Sequence, residues 1–527
     1  MRLKFIFIIL LFFIRINGVD AQLTIQAANL TVQSGATVAV QGNMSSTKDL
    51  PAMGKFLLNG TSSQSINMNG KSIPNLEIDN TSGITLAADA RISNSLLFTN
   101  GKISAGNYNF SLADIATATG MGTGNFVETN GTGQVFKEIS SNLSATEIPV
   151  GAGTVYRPTF LTTIGSNTGA KVGVQVLGVA SVNKPPMTSD YLNTNWTITN
   201  TGINGSLNVS AEYADPSDIS GTESNLKGYL FNGTDWSSAA GTVNTSTNMI
   251  SFPITIASAN ITAMDKFDLL KAKVFLQGAY NSSTHLMSDN LRTAALIPLS
   301  DPYRTSTYSS AFKQVNDGIA ETIDASVLAN QLSQNDDIVD WVFLELRNTA
   351  AGNNVLQTRS ALVQSDGNIV DVDGRSPVTF NNVDPGNYTI AVRHRNHLGV
   401  STDPATFTPL LTERQSTALV VDFTTSNSLY GGSSAHGVAS DGNFILWGGN
   451  ANMDGKVSYT GFSNDKDYLY ITTLNSNPAN VITNVYSPAD LNLDGKVNFN
   501  GIGNDKDFLY QTILGNSATA QMNQSLP

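Results

Sequence analysis

From residue 22 to about 140, apolar and polar positions alternate in short bursts. Leu23-Thr24-Ile25, Val38-Ala39-Val40, Phe56-Leu57-Leu58, Ile66-Asn67-Met68, Leu76-Glu77-Ile78, Ile84-Thr85-Leu86, Leu96-Leu97-Phe98 and Tyr108-Asn109-Phe110 are separated by Gly, Asn and Ser. A period of two places alternate side chains on opposite faces of a strand. The bursts recur about every twenty residues, the length of one solenoid coil. The pattern predicts a right-handed β-solenoid over 22–140, with a sandwich of short strands as the alternative.

The pattern lengthens over 141–269. Tyr191 to Ile198, Leu207 to Tyr213 and Leu226 to Phe231 alternate over longer runs and carry aromatics. These predict a β-sandwich with an internal tryptophan core. A second, immunoglobulin-like sandwich is expected over 270–424. Its longest strand would be Ile338 to Leu346. Asp384-Pro385-Gly386-Asn387-Tyr388 resembles a tyrosine corner, in which the hydroxyl bonds back to the backbone. Between an opening strand at Val274 to Leu276 and Ile338, 301–337 reads as a polar crossover or lid, helical at Ile319 to Leu332. Residues 425–441 are rich in Gly and Ser and read as a linker. The fold class is therefore mainly β and multi-domain, closed by a small helical module at 442–527.

Composition fits this picture. Of 527 residues, 13% are charged and 45 are glycine, a balance that favours turn-rich β structure over helical bundles. The net charge of −12 argues against nucleic acid as a partner. Residues 1–21 read as a signal peptide. Arg2 and Lys4 precede the apolar run Phe5 to Ile14, too short to span a bilayer, and Val19-Asp20-Ala21 offers a cleavage site. The mature chain is expected outside the cell or on its surface, without a transmembrane segment. There is no cysteine, so an exported chain must rely on large β-cores or on metal.

Candidate chemistry lies in a duplication at the C-terminus. Asn450-Ala-Asn452-Met-Asp454-Gly455-Lys456 returns forty residues later as Asp490-Leu-Asn492-Leu-Asp494-Gly495-Lys496. Oxygen side chains at alternate positions followed by glycine can wrap a hard cation such as Ca²⁺. The expected ligands are Asn450, Asn452, Asp454 and the Lys456 carbonyl in the first loop. In the second they are Asp490, Asn492, Asp494 and the Lys496 carbonyl, with Asn498 acting through water. Position 12 of an EF-type loop should be acidic, yet Gly461 and Gly501 stand there. The acid returns four residues later as Asp465 and Asp505, in the first turn of a helix expected over Asn504 to Leu514. Asp467 and Asp507 compete for that role and are expected to be solvated. With Asn450 in place of an acid, the first loop should bind more weakly. Asx turns that serve only backbone hydrogen bonds are the alternative.

The two loop-plus-helix units resemble dockerin type I modules, which implies two Ca²⁺ ions and a possible cohesin partner. Tyr459-Thr-Gly-Phe-Ser463 and Phe499-Asn-Gly-Ile-Gly503 depart from that family and bear on cohesin binding more than on calcium. A wider resemblance covers about 270–527. It is carried by Lys273 to Tyr280, Leu291 to Leu299, Asp301-Pro-Tyr303, Ile338 to Arg347, Arg359 to Gln364 and Ala391 to Gly399. These look like segments of exported Bacteroidota proteins labelled haemagglutinin-like or adhesin-like, which implies a cell-surface glycan or protein ligand.

Catalytic signatures are absent from the sequence: it holds no H-E-x-x-H, G-x-S-x-G, Walker A or Rossmann glycine pattern. His394 and His397 form the closest histidine pair. Residues i and i+3 of one strand point to opposite faces, so a shared zinc needs a bend. Asp89 and Arg91 would be a surface ion pair rather than an acid–base couple. Tyr191, Trp196, Tyr229 and Trp236 could stack on sugars but fit a sandwich core better. The chain reads as a non-enzymatic, adhesin-type protein. The alternative is a cohesin-docking or carbohydrate-binding component of an extracellular glycan-processing assembly.

Overall fold

The computed structural model describes residues 22–26, 30, 32–50, 54–165, 167–316, 318–329, 333–349, 353–425 and 428–527. The leader expected at residues 1–21 lies outside the described residues. The protein is mainly β, with an N-terminal β-solenoid and several further sheets. No helix among the described residues is long and apolar enough to cross a membrane.

The solenoid is built from two parallel sheets that the chain visits in turn. Leu23–Ile25, Met44–Ser46, Gln64–Asn67, Ile84–Leu86, Ile103–Ser104 and Val127–Glu128 form one. Thr37–Val40, Lys55–Leu58, Ser72–Asp79, Ala90–Asn100, Phe110–Leu112 and Val135–Ile139 stack in the other. The period-two apolar positions point between the sheets: Phe56, Leu58, Ile66, Ile78, Ile92 and Phe110 have no exposed surface. Parallel stacking leaves the coil corners with backbone groups to satisfy. Buried Gln64 does this in one corner, donating to the Val40 carbonyl at 2.9 Å and accepting from Gly60 N at 2.8 Å. Asn80 joins the same ladder, donating to the Gln64 amide oxygen at 2.8 Å. The next coil needs Gly101, whose φ is +93° and whose added Cβ would stand 1.9 Å from the Asn80 carbonyl oxygen. Gly101→Ala is expected to cost about 2–4 kcal/mol of stability in a urea unfolding experiment, since both the backbone angle and the close approach exclude a side chain.

The sheet and the core of the solenoid continue past residue 140. Its last coil strand, Val135–Ile139, pairs antiparallel with Ala170–Leu177, and the sheet continues through Asn195–Thr201, Ser258–Met264 and Lys227–Phe231. An open solenoid edge would expose unpaired backbone, and this extension covers it. A five-stranded sheet, from Thr146–Ile148 through Thr159–Ile164 and Ser206–Glu212 to Met249–Pro253 and Thr242–Asn244, faces it. One hydrophobic core runs without interruption from Ile25 to Ala263. The change of character near 140 is a change of strand direction, not a break in the core.

The third unit of the chain is built on its own sheet, the third sheet by unit, which orders Val378–Asn381, Phe267–Lys273, Asn368–Val370, Val355–Gln364, Ile338–Arg347, Thr389–His394 and His397–Ser401. Its strand Phe267–Lys273 crosses the boundary expected at 269/270. Ile338–Arg347 is buried on both faces apart from its last residue, hence its continuous apolar run. The segment 301–337 supplies one cover. Tyr303 donates its hydroxyl to the Trp341 carbonyl at 2.9 Å, and Tyr303, Phe312 and Phe343 pack ring to ring. Among its described residues the helix expected at 319–332 is reduced to Ala325–Ala329. The Tyr388 hydroxyl bonds back to the Asp384 carbonyl.

The stretch 425–441, expected as a linker, is packed among its described residues. Leu429 and Ala435 join the core of the third sheet, and Asp441 accepts from the Tyr280 hydroxyl at 2.6 Å. Its small residues permit close packing, a use that composition does not separate from flexibility.

Candidate metal centre

The two C-terminal repeats fold as reciprocal units. Lys456–Ser458, leaving the first loop, pairs antiparallel with Gln521–Asn523 beyond the second helical turn. Lys496–Asn498, leaving the second, pairs with Val481–Thr483 beyond the first. Val457 and Val497 are fully buried on this seam. Asn464 and Asn504 cap the following helical turns, their amide oxygens accepting from Asp467 N at 2.9 Å and Asp507 N at 2.8 Å. The turns are short: Asp465–Asp467 and Asp505–Asp507 widen into π-helical Tyr468–Thr473 and Phe508–Ile513. The helix expected over 504–514 is thus present but not regular.

The cap sets the direction of the next side chain. Asp465 and Asp505 are completely buried and turn back into their loops. Asp465 accepts from Ser458 N at 2.8 Å. Asp505 accepts from Leu491 N at 2.7 Å and from Asn498 N at 2.9 Å. Asp467 and Asp507 face solvent and pair with Lys466 and Lys506. The fourth residue after each glycine is therefore the acid that closes the loop geometrically.

The alternate side chains are tied to the backbone of their own loops. Asp490 is buried and accepts from Asp494 N and Gly495 N. Asn492 spans its loop by donating to the Gly503 carbonyl at 2.9 Å, as Asn452 does to the Ser463 carbonyl at 2.6 Å. Asp454 and Asp494 each accept from the backbone two residues on, at Lys456 N and Lys496 N, both 2.9 Å. Gly455 and Gly495 take the left-handed turn with φ +80° and +79°. Lys456 and Lys496 could supply only their carbonyls, because an ammonium has no acceptor. Asn498 donates its amide nitrogen to the Asn500 carbonyl at 3.1 Å.

Electrostatics single out the same atoms. Burial, with a contribution from Asp454, pushes Asp465 up to about 8. Burial, with Asp494 nearby, pushes Asp490 up to about 7 against the opposing Arg395 guanidinium. Burial and the neighbouring Asp490 and Asp494 hold Asp505 well above the carboxylate range. Clustered buried carboxylates are costly unless a cation offsets them. In the first loop the buried Asn450 amide oxygen has no partner at all. Among the described residues no three His, Cys, Asp or Glu groups converge as a metal cluster by themselves. The donor set here mixes carboxylates, amides and carbonyls, the hard-oxygen chemistry that suits Ca²⁺ rather than zinc.

What the sequence missed is the far side of the second loop. Leu493, at φ +57°, is buried in the core of the third sheet. Asn396 donates to the Asp490 carbonyl at 2.6 Å. Arg395 reaches the Ser487 carbonyl and lies 4.3 Å from the Tyr486 ring centre. Behind them Asp340 is completely buried and receives Arg395 Nε at 3.0 Å, His394 Nε2 at 3.0 Å and the Tyr486 hydroxyl at 2.6 Å.

His394 and His397 do meet, because a hairpin turns at Arg395 and Asn396. Their Nδ1 atoms are 2.9 Å apart. Gly278 N donates to His397 Nε2, so that ring carries its proton on Nδ1, while His394 carries its own on Nε2 toward Asp340. Every ring nitrogen is engaged and burial lowers both pKa values, leaving a neutral hydrogen-bonded pair and no zinc site. Asp89 accepts from Asn109 N, and Arg91 pairs with Glu138 at 2.7 Å. Trp196 and Tyr229 are fully buried, Trp236 nearly so, and Tyr191 lies beneath Lys184. None of these four aromatics forms an open sugar platform. Comparison with family models, curated proteins and solved structures finds no match to this chain.

Proposed function

We propose that the chain is an exported, non-enzymatic, adhesin-type surface protein whose C-terminal repeats bind two Ca²⁺ ions. In this reading the solenoid is a spacer, the two middle units are β-sandwiches offering loops to a cell-surface ligand, and the tail is a small dockerin-like module. The observation that carries the reading is the inward turn of Asp465 and Asp505, matched in both repeats, onto loops that already hold alternate oxygens. Calcium would be held by Asn450, Asn452, Asp454, the Lys456 carbonyl and Asp465, and by Asp490, Asn492, Asp494, the Lys496 carbonyl and Asp505. The ion supplies positive charge where these oxygens otherwise repel.

Calorimetric titration of the full chain with Ca²⁺ is expected to count two ions, with one site lost in Asp494→Ala. No binding, or an unchanged count in the variant, would sink the proposal. The full chain is the right sample because Leu493 packs into the third sheet, so a fragment of 442–527 would expose it. The second loop has the extra carboxylate, but Arg395 stands beside it and narrows the advantage over the first. A glycan array run with and without EDTA tests the ligand class and its metal dependence together.

A docking role is the second reading, and one observation favours it. The lengthened loops end in Phe462 and Ile502, which are 99% and 104% exposed. They occupy the same place in both repeats, after Gly461 and Gly501, and both are large and apolar. Exposed apolar tips of this size suit contact with a partner such as a cohesin. Phe462→Ser with Ile502→Ser is expected to leave calcium stoichiometry unchanged and to weaken capture by a cohesin module. Equal capture by the variant would remove the docking reading.

A further inference from the structure

The two ends of the solenoid differ. Its last coil is covered, since Val135–Ile139 pairs with Ala170–Leu177 and Val127–Glu128 pairs with Val150–Ala152. Its first coil has no such cover among the described residues. Leu23–Ile25 and Thr37–Val40 pair only with strands of the second coil and stand last in their sheets. In a parallel ladder, alternate residues direct both backbone groups to the same neighbour. Leu23 N donates to the Asn43 carbonyl, and the Ile25 carbonyl accepts from Thr47 N. The N–H and C=O of Thr24 therefore point away from the second coil. The Ala36 and Val40 carbonyls accept from Lys55 N and Asn59 N, so the backbone groups of Thr37 and Ala39 point outward as well. All three residues are exposed.

An open edge is a template for another strand, and proteins usually blunt it with charge or proline. This edge is left unblunted. Residues 22–47 contain no charged residue, no histidine and no proline. The following coils all carry charge, with Lys48, Asp49 and Lys55 in the second, Lys71, Glu77 and Asp79 in the third, and Asp89 and Arg91 in the fourth. The apolar core also reaches this end, where Leu23, Leu30 and Val38 are half-buried against it.

We propose that the first coil is a homodimer interface, at which two copies of the chain abut and pair Leu23–Ile25 and Thr37–Val40 with the same strands of the other copy. Geometry selects this occupant. Satisfying both edges at once requires two strand edges in one plane, separated by the thickness of the solenoid, about 10 Å for packed sheets. A single extended peptide covers only one of them. The first coil of a second copy offers both at the right spacing. A two-fold axis normal to the sheets lays each strand antiparallel on its counterpart, and the joint closes at two chains. Charge agrees with this. A chain of net charge −12 meets itself without repulsion only where its acids are absent, as they are over 22–47. Leu23, Leu30 and Val38 of the two copies would then extend one core across the joint.

The test is sedimentation velocity of residues 22–527, the form left once the leader is removed, over a range of concentrations. A single step from one chain to two is expected. Thr24→Pro with Ala39→Pro removes an outward donor from each edge and sets a ring in the partner's path. It keeps the bonds to the second coil, because proline is tolerated where the N–H faces solvent. This variant should keep the wild-type circular dichroism spectrum and weaken the dimer at least tenfold. A second measurement needs no proline. The chain holds no cysteine, so Thr24→Cys and Thr99→Cys each carry one thiol. A short bismaleimide should couple two copies through Thr24→Cys and not through Thr99→Cys, which lies on the flank of the fourth coil. A single-chain mass at every concentration overturns the proposal. So does a dimer that the folded proline variant leaves intact, assembly beyond two chains, or coupling that fails to separate the two cysteines.

Discussion

EDTA treatment of the full chain is expected to lower the thermal midpoint by about 10–20 °C for the two ions together and to loosen the third sheet as well as the tail. A ligand present at a hundred times its dissociation constant contributes about 2.7 kcal/mol per site, and each kcal/mol shifts the midpoint of a unit this size by about 2–4 °C. The wider effect follows from geometry. The second loop carries Leu493 into the core of the third sheet, held at φ +57°, where a leucine is strained. Gly495 lies so close to Leu296 that an added Cβ would stand 2.6 Å from its side chain. Asn396, in the hairpin turn, holds the Asp490 carbonyl. Without a cation, the repulsion of Asp490, Asp494 and Asp505 acts directly on these contacts. Amide hydrogen exchange reads the outcome. Faster exchange is expected over Thr389–Ser401 as well as over Lys456–Asn523. Acceleration confined to the tail would show that the loop and the sheet are not coupled.

Asp340→Ala is expected to be the most damaging single substitution in the third sheet, at about 3–5 kcal/mol in denaturant unfolding. Removing one partner of a buried pair leaves the other charge uncompensated. Here the orphan would be Arg395, completely buried beneath the C-terminal module, together with His394 and the Tyr486 hydroxyl. The pH dependence has a definite sign. Burial alone would raise the Asp340 carboxyl, but Arg395 and the bonds from His394 and Tyr486 bring it well below the usual range. A depressed folded pKa gives stability that is present above the unfolded value of about 3.9 and is lost as pH falls below it. Wild-type stability should therefore drop through pH 4 and lower. Asp340→Asn should be less stable at pH 7 and flatter in that acid range. Parallel pH profiles for the two proteins would refute the assignment.

These two results rest on contacts of very different legibility. The solenoid could be read directly, because inward residues such as Phe56, Ile78 and Ile92 follow a local period of two repeated about every twenty residues. The duplication could be read because the chain states the motif twice, and the shared displacement of the acid to Asp465 and Asp505 is visible by comparing the copies. The bend that the histidine pair required was not legible for a specific reason. His394 and His397 lie in two strands joined by a tight hairpin, so the one-strand rule did not apply. Asp340 gave no signal at all. It stands in an apolar strand, and its partners Arg395 and Tyr486 are 55 and 146 residues away.

The sequence by itself determined the mainly β character, the coil length of the solenoid and the pairing of oxygen residues in the two loops. All three arise from neighbours along the chain, where side-chain period, turn residues and duplication act locally. Tertiary structure alone decided that the core runs on past residue 140 and that the Gly/Ser stretch at 425–441 is packed. It alone seats the second loop on the third sheet through Leu493 and Asn396. Those outcomes depend on which surfaces are left to bury and which buried polar groups must find partners, and both are settled only when distant segments meet.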